Sequence, residues 1–447
     1  MENASRLNSF LANPPKALWT MALPIIAGMM VQTLFNVVDI MFIGWLGADE
    51  VTAVAFVSPL FFIIIGLAVG IGSGITATIA QSIGRKDKED ADNCADHTIL
   101  IGLTITVVLS VLGIVYGREL LYLLGASGHI LDISYEYLRV LTFGIGLVVF
   151  SLFFRAIMAG EGETKIPMII GLIGTFLNLI LDPIFIFYLG YGVRGAALAT
   201  VISQLVMLMA YLFIIFVKKS TYISFNISNF KYSSSIISKI LNIGIPSSLS
   251  MLIISFGQVV MNRIIINYST EAVAAYQIVS RIDMLLFMPI LGIAIALTTI
   301  VGMFYGANEN EKLLSVVNYG LNRAFLITLV SVLILFLSAE KILPIFTSSA
   351  EVITVGITYL KIIVLVYPVV GISVICSRVC QALGEGMPLL ITTITRVLIL
   401  TAPLSYYFYI IGKPIEWVWF SQVFAIVIAA IISYTWMRHY FKKFAIV

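Results

Sequence analysis

Pro24-Ile25-Ile26-Ala27-Gly28-Met29-Met30-Val31-Gln32-Thr33-Leu34-Phe35-Asn36-Val37-Val38-Asp39-Ile40-Met41-Phe42-Ile43-Gly44 is apolar enough to enter a bilayer, yet it carries a carboxylate well inside. Asp39 follows Asn36 by three residues, and Asn36 follows Gln32 by four. On a helix these polar groups share one face. Charging an aspartate at membrane depth costs about 2.5–3.5 kcal/mol on insertion scales. Asp39 is therefore either neutral or matched by a cation or a hydrogen-bond donor. Pro24 lies upstream on the same helix, removes a backbone hydrogen bond and predicts a kink, hence a hinge.

The rest of the chain has the same character. Its 447 residues are 60% hydrophobic and 11% charged, against roughly 25% charged in soluble domains. This composition belongs to an all-α polytopic membrane protein. Turn residues and charges divide the chain into about twelve segments of spanning length. They cover residues 16–44, 52–81, 97–117, 132–158, 166–189, 195–217, 238–266, 274–305, 318–339, 352–382, 388–411 and 416–437. The net charge of +3 is scattered over short loops, so no nucleic-acid partner is expected. Residues 1–16 are polar and do not read as a secretory leader. Cys94, Cys376 and Cys380, with three unclustered histidines, read as helix-packing residues rather than metal ligands.

A Ser/Asn/Lys-rich stretch interrupts the middle of the chain, and landmarks recur in one order on either side of it. Ala22-Leu23-Pro24 is matched by Gly244-Ile245-Pro246. Arg155 with Gly160-Glu161-Gly162 is matched by Arg378 with Gly384-Glu385-Gly386. Leu181-Asp182-Pro183 is matched by Thr401-Ala402-Pro403. The expected organisation is a first lobe at 1–217, a linker at 218–237 and a second lobe at 238–447. Six spans per lobe give both lobes the same orientation. A pseudo-two-fold axis along the membrane normal should relate them, leaving a cavity that opens to either side as the lobes rock. Lysine and arginine gather in the loops on the side of the termini, which predicts that both termini are cytoplasmic.

Intramembrane ionisable residues are the functional candidates. The first lobe has Asp39 and Asp182, with Asn178 one turn before the latter. Thr200, Ser203 and Gln204 form a polar stripe on the next span. Gly171, Gly174, Gly195, Ala196, Ala197 and Ala199 allow these helices to approach closely. Two carboxylates, an amide and a hydroxyl are hard oxygen ligands that sodium accepts. They could equally share a single proton. The competing interpretation is a static polar network, and two buried acids are costly for that purpose. The repeat counterpart of Asp39 is about Met261 and that of Asp182 is Thr401 or Ala402, so the acid pair is confined to the first lobe. The second lobe offers Gln258 and Asn262, with Met251, Met261, Met284, Met288 and Met303 reading first as apolar core. Asp283 is expected to form an ion pair with Arg281 or Arg263. Arg155, Arg378 and Arg396 are expected near helix ends, where long cations snorkel. Metalloprotease, phosphate-loop and nucleophile-elbow motifs are all missing from the sequence, so no enzyme is expected. Gly70-Ile71-Gly72-Ser73-Gly74 reads as close helix packing.

The chain resembles the multidrug and toxic compound extrusion (MATE) transporters, on the side of the archaeal and DNA-damage-inducible branch. The resemblance is carried by Pro24 with Asp39, by the Arg155 to Pro167 turn, and above all by Asn178-Leu179-Ile180-Leu181-Asp182-Pro183 followed by Gly192-Val193-Arg194-Gly195-Ala196-Ala197-Leu198-Ala199-Thr200. It implies a twelve-helix secondary antiporter of the cell membrane, exporting amphipathic and often cationic compounds in exchange for Na+ or H+. It further implies a cation site, for Na+ if sodium couples, at Asp39, Asn178, Asp182 and Thr200. Tyr137 and Asn36 are expected to extend the coupling network. The substrate cavity should be lined by Gln32, Asn36, Gln204, Gln258, Met261 and Asn262. No cofactor is expected, and the expected assembly is a monomer. Two rival readings are a related flippase for lipid-linked precursors, which calls for a more cationic cavity, and an intramembrane transferase, which calls for a convergent catalytic set.

Overall fold

The structure is a computed structural model that describes the backbone of residues 2–225 and 230–446. It describes their side chains except those of residues 2–5, 36, 37 and 40. Asn36 therefore lies outside the described side chains.

Among the described residues, twelve helices are long and apolar enough to cross a membrane. A short helix α1 (Glu2–Ala12) precedes them. The spans begin with α2 (Pro14–Gly44), α3 (Ala48–Gly84), α4 (Lys88–Leu123) and α5 (Gly128–Gly160). The fifth span is α6 (Lys165–Pro183), continued by a π-helical turn over Ile184–Tyr188, and the sixth is α7 (Gly192–Leu212) with its own π turn over Phe213–Val217. The second set opens with α8 (Ser234–Ile265), α9 (Thr270–Gly306) and α10 (Asn310–Phe346). Its fourth span is α11 (Ala350–Ile363) joined through a 3-10 turn, Val364–Val366, to α12 (Tyr367–Ala382). The last two are α13 (Met387–Ile394) joined through a π stretch, Thr395–Thr401, to α14 (Ala402–Ile410), and α15 (Glu416–Lys443). No strand occurs among the described residues.

Several helices outrun the apolar segments that predict them. α4 begins at Lys88, well before the apolar run at 97, because Asp87 caps it by accepting from the Asp90 amide at 3.0 Å. Asn13 likewise accepts from the Lys16 amide at 3.1 Å and starts α2 just ahead of Pro14 and Pro15. Hydropathy reports where the bilayer begins, whereas capping reports where the helix begins.

The chain divides into two compact units at three points, none of which falls in the linker. The first unit takes Met1–Arg6 and Leu23–Gly244, and the second takes Leu7–Ala22 and Ile245–Val447. One division falls inside α1, between Arg6 and Leu7; the other two cut a continuous helix one or two residues before its proline, Pro24 in α2 and Pro246 in α8. A helix proline has no N–H to give and leaves a carbonyl four residues back without its partner. These two division points therefore lie where the helical hydrogen-bond ladder is thinnest.

In the first unit α5 is the central helix, packed by α3, α4 and α7. Val57, Leu121, Leu138, Leu141 and Ala197 make its apolar core, and Thr76 Oγ1 ties α3 to α5 by donating to the Ala156 carbonyl at 2.9 Å. The glycine run on α3 is buried; a Cβ on Gly74 would lie 2.2 Å from the Ile240 carbonyl oxygen, so the start of α8 crosses backbone against backbone there. The second unit is organised around α9, α12 and α15, whose core holds a stack of Tyr276, Tyr359 and Trp419 with Tyr359 and Trp419 rings 4.2 Å apart.

The described part of the linker is held to the first unit. Ile223 is buried, Lys88 donates to the Tyr222 carbonyl at 2.8 Å, and the Ser233 amide donates to His97 Nε2 at 2.8 Å. The amides of Tyr222 and Ile223 both donate to Glu161, in the turn after α5, at 3.0 and 2.9 Å.

Candidate cation-binding site

α2 and α6 bring two acids together inside the first unit. Asp182 is the last residue before Pro183, and it is 2% exposed. The carboxyl groups of Asp39 and Asp182 stand within hydrogen-bonding range of each other. Asn178, one turn earlier on α6, donates through Nδ2 to Asp182 Oδ1 at 3.3 Å. Asp39 Oδ1 is buried and has no hydrogen-bond partner among the described residues. Tyr137, on α5, lies within electrostatic reach of both acids. No described arginine or lysine forms an ion pair with either acid.

The local backbone explains the placement of Asp182. Pro183 cannot donate to the Leu179 carbonyl, and the next five residues open into a π-helical turn, closed by the Leu189 amide on the Ile184 carbonyl at 2.9 Å. Such bulges occur often where a helix must aim a functional side chain. α7 closes against this turn: a Cβ on Gly195 would stand 2.6 Å from the Phe185 carbonyl. Ile43, Ile186 and Ala196 pack together beside the acids, with Tyr137 and Phe42 against them. The second half winds into π as well, over Thr395–Thr401 just ahead of Pro403, but holds Thr401 and Ala402 where the first half holds its acid.

The site has an unmet capacity. Two facing carboxyl groups offer four oxygens, and one of them is buried without a donor. Two negative charges at this separation in an apolar surrounding repel, so the pair holds fewer than two charges or holds a cation. A proton or a sodium ion meets that requirement.

The remaining expected residues divide. Thr200 is half-buried on the neighbouring helix, and its hydroxyl donates to the Ala196 carbonyl of its own helix at 3.1 Å. It makes no hydrogen bond to either acid among the described residues. Gln204 is half-buried one turn on, and the hydroxyl of Ser203 is buried without a partner. Gln32 and Gln258 are exposed. Asn262 accepts from Gln277 Nε2 at 3.0 Å. Met261 is 4% exposed in the apolar core of the second unit, so it packs that core and presents no open surface.

Two expectations for the second unit are corrected. Asp283 forms no ion pair with Arg281 or Arg263; both arginines are exposed, and the carboxyl instead accepts a hydrogen bond from the Tyr367 hydroxyl. Residues two apart on a helix point to opposite sides, so Arg281 could not have served. Arg396 does not lie at a helix end but well inside its span, in the π stretch Thr395–Thr401, near Tyr276 and without an ion-pair partner among the described residues. The Asp283–Tyr367 contact had one signal in the sequence, an acid at depth, but nothing to name its partner. Glu161 had a weaker one, a lone acid between two glycines.

Comparison with known proteins gives a consistent result. The MatE family model matches the chain twice, over residues 24–184 and 246–407. The two matches open on the two helix prolines and reproduce the internal repeat. The chain is 26% identical over 432 residues to the probable multidrug resistance protein YoeA of Bacillus subtilis, covering 94% of this chain and 92% of that one. It is similar throughout to a MATE transporter crystallised in a straight conformation, with TM-score 0.92, 34% identity and 97% of each chain covered. The bent conformation gives TM-score 0.92 and 33% identity, covering 97% of this chain and 96% of that one.

Proposed function

The chain belongs to the multidrug and toxic compound extrusion (MATE) family, and on that premise we propose that it is a secondary active antiporter of the cell membrane. In this reading it expels amphipathic, often cationic compounds in exchange for Na+ or H+, with both termini in the cytoplasm. The observation that carries the reading is the meeting of Asp39 and Asp182 inside an apolar unit, with an acceptor oxygen on Asp39 left without a donor.

The cycle follows from that pair. A cation entering from outside neutralises it, and the acids approach. Asp39 sits on the same helix as Pro24, and one division between the compact units falls beside Pro24. A change at Asp39 therefore reaches a segment with a weakened hydrogen-bond ladder, and α2 bends there. The substrate leaves outward, the protein turns inward, and the cation escapes to the cytoplasm. One charge moving through 100 mV supplies about 2.3 kcal/mol. Straight and bent conformations of a similar transporter support a two-state scheme of this kind.

Arg396 favours a second reading. A cation at mid-span without an acid partner suits a substrate with an anionic group, as the flippase for lipid-linked precursors requires. Proteoliposomes loaded with a cationic dye, with sodium and proton gradients imposed separately, distinguish the two. Export driven by one gradient and lost in Asp39→Asn is expected. Normal dye export by Asp39→Asn would remove the coupling role, and gradient-independent movement of a lipid-linked anion would favour the flippase.

A further inference from the structure

On the face opposite the termini, α4 ends, α5 begins and α7 begins close together. Arg118 pairs with Asp132 at 2.7 Å, and Arg194 pairs with Glu136 at 2.5 Å. Both pairs line a recess of about 580 Å³, and its remaining charged wall is Arg139. Arg139 is exposed and has no ion pair or hydrogen bond among the described residues. Three guanidinium groups face two carboxylates, so the recess carries one uncompensated positive charge, and Arg139 bears it.

A second recess, of about 340 Å³, shares Tyr135, Arg139 and Phe143 with the first. Its other walls are Gly113, Ile114 and Thr142, between α4 and α5. Phe143 is 68% exposed and Ile114 is 52% exposed. Tyr135, Arg139 and Phe143 are spaced four apart and make one stripe along α5. Arg139 lies three residues further along α5 than Glu136, about 4.5 Å deeper toward the bilayer centre. From outside inward the stripe passes from a layer of ion pairs, through an unpaired arginine, to an apolar furrow.

We propose that this double recess binds one anionic phospholipid of the leaflet opposite the termini. Its phosphodiester sits on Arg139 and one acyl chain lies along Ile114 and Phe143. The chemistry matches at each level. A guanidinium presents paired donors to phosphate oxygens, and its stem can lie in the apolar layer while its head reaches the interface. The ion pairs on either side already neutralise Arg118 and Arg194, so Arg139 selects a headgroup of net negative charge over a zwitterion. The furrow separates a lipid from a free phosphate, which has nothing to place there. The site lies wholly within the first unit and does not depend on which compound the protein exports.

Native mass spectrometry of the delipidated full chain, titrated with dioleoyl phosphatidylglycerol, tests the assignment. Arg139→Gln should weaken binding of the first phosphatidylglycerol about tenfold, the scale of one lost charge-assisted contact. The same variant should leave dioleoyl phosphatidylethanolamine unchanged. Phe143→Ala should weaken the dioleoyl lipid more than its short-chain analogue, and Lys413→Gln, a surface cation in the other unit, should change neither. Equal phosphatidylglycerol affinity in the parent and Arg139→Gln would overturn the site. Displacement of the lipid by millimolar inorganic phosphate would reduce it to a small-anion site and overturn the lipid assignment.

Discussion

The backbone amide of Ile223 donates to the carboxyl of Glu161 at 2.9 Å, joining the linker to the turn that follows α5. Glu161 is 2% exposed. Burial pushes its carboxyl up to about 7, against the downward pull of the two linker amides and of Arg6 and Lys88. In the unfolded chain a glutamate titrates near 4.5. Between these values the folded protein keeps a proton that the unfolded chain has released. Stability is therefore full below about pH 4.5 and declines as pH rises to about 7, by roughly 3 kcal/mol in all. Glu161→Gln should flatten that part of the pH profile of thermal unfolding in detergent. A variant with the parent's slope between pH 5 and 7 would exclude Glu161 as its source.

Asn178 contributes one hydrogen bond to the acid pair, at 3.3 Å to Asp182. Its removal leaves both acids and the fold in place. Asn178→Ala should raise the apparent KM for the coupling cation about fivefold, the scale of a 1 kcal/mol contact, with the maximal rate little changed. Initial export rates against cation concentration report this directly. An unchanged KM would remove Asn178 from the site.

What could be read in advance follows from the cost of burial. A carboxylate in an apolar span is conspicuous in the sequence because oil gives it no partner, so Asp39 and Asp182 stood out, and helical spacing added Asn178. Spacing along one helix also placed Arg281 near Asp283 in number while the helix turns them apart, and the true partner, Tyr367, comes from another helix. Met261 illustrates the other limit. Sequence gives its apolar character but not its direction, and the structure packs it in the core. The hold of Glu161 on Tyr222 and Ile223 depends on a linker folding back against α4, which no local pattern announces.

The approach of α7 to the π turn of α6 leaves no room at Gly195, where an added Cβ meets the Phe185 backbone at 2.6 Å. Backbone cannot rotate away as a side chain can. Gly195→Val should destabilise the protein by about 1–3 kcal/mol through overpacking and lower its thermal midpoint. Gly171, on the same α6, has nothing within 4 Å of an added Cβ, so Gly171→Ala should be neutral or stabilising by up to about 1 kcal/mol. Equal midpoints for both variants would mean that the contact at Gly195 relaxes freely.

The Tyr367 hydroxyl donates to Asp283 directly after the 3-10 break Val364–Val366 in the span formed by α11 and α12. Tyr367→Phe keeps the ring and its packing against Phe287 but strips a partly buried carboxyl of its only described donor. Leaving such a group unpaired costs about 1–3 kcal/mol. Asp283→Leu removes the acceptor, and the Tyr367 hydroxyl then lacks a partner in turn. Combining Asp283→Leu with Tyr367→Phe removes both polar groups together, so the double variant should be more stable than the sum of the two single losses requires. A coupling of about 1 kcal/mol or more in this thermodynamic cycle is expected, since contacting partners do not add. The two substitutions would add independently if the hydroxyl and the carboxyl were each satisfied by other groups, and strict additivity of the unfolding midpoints would rule out the pairing as the element that holds α9 to α12 at the break.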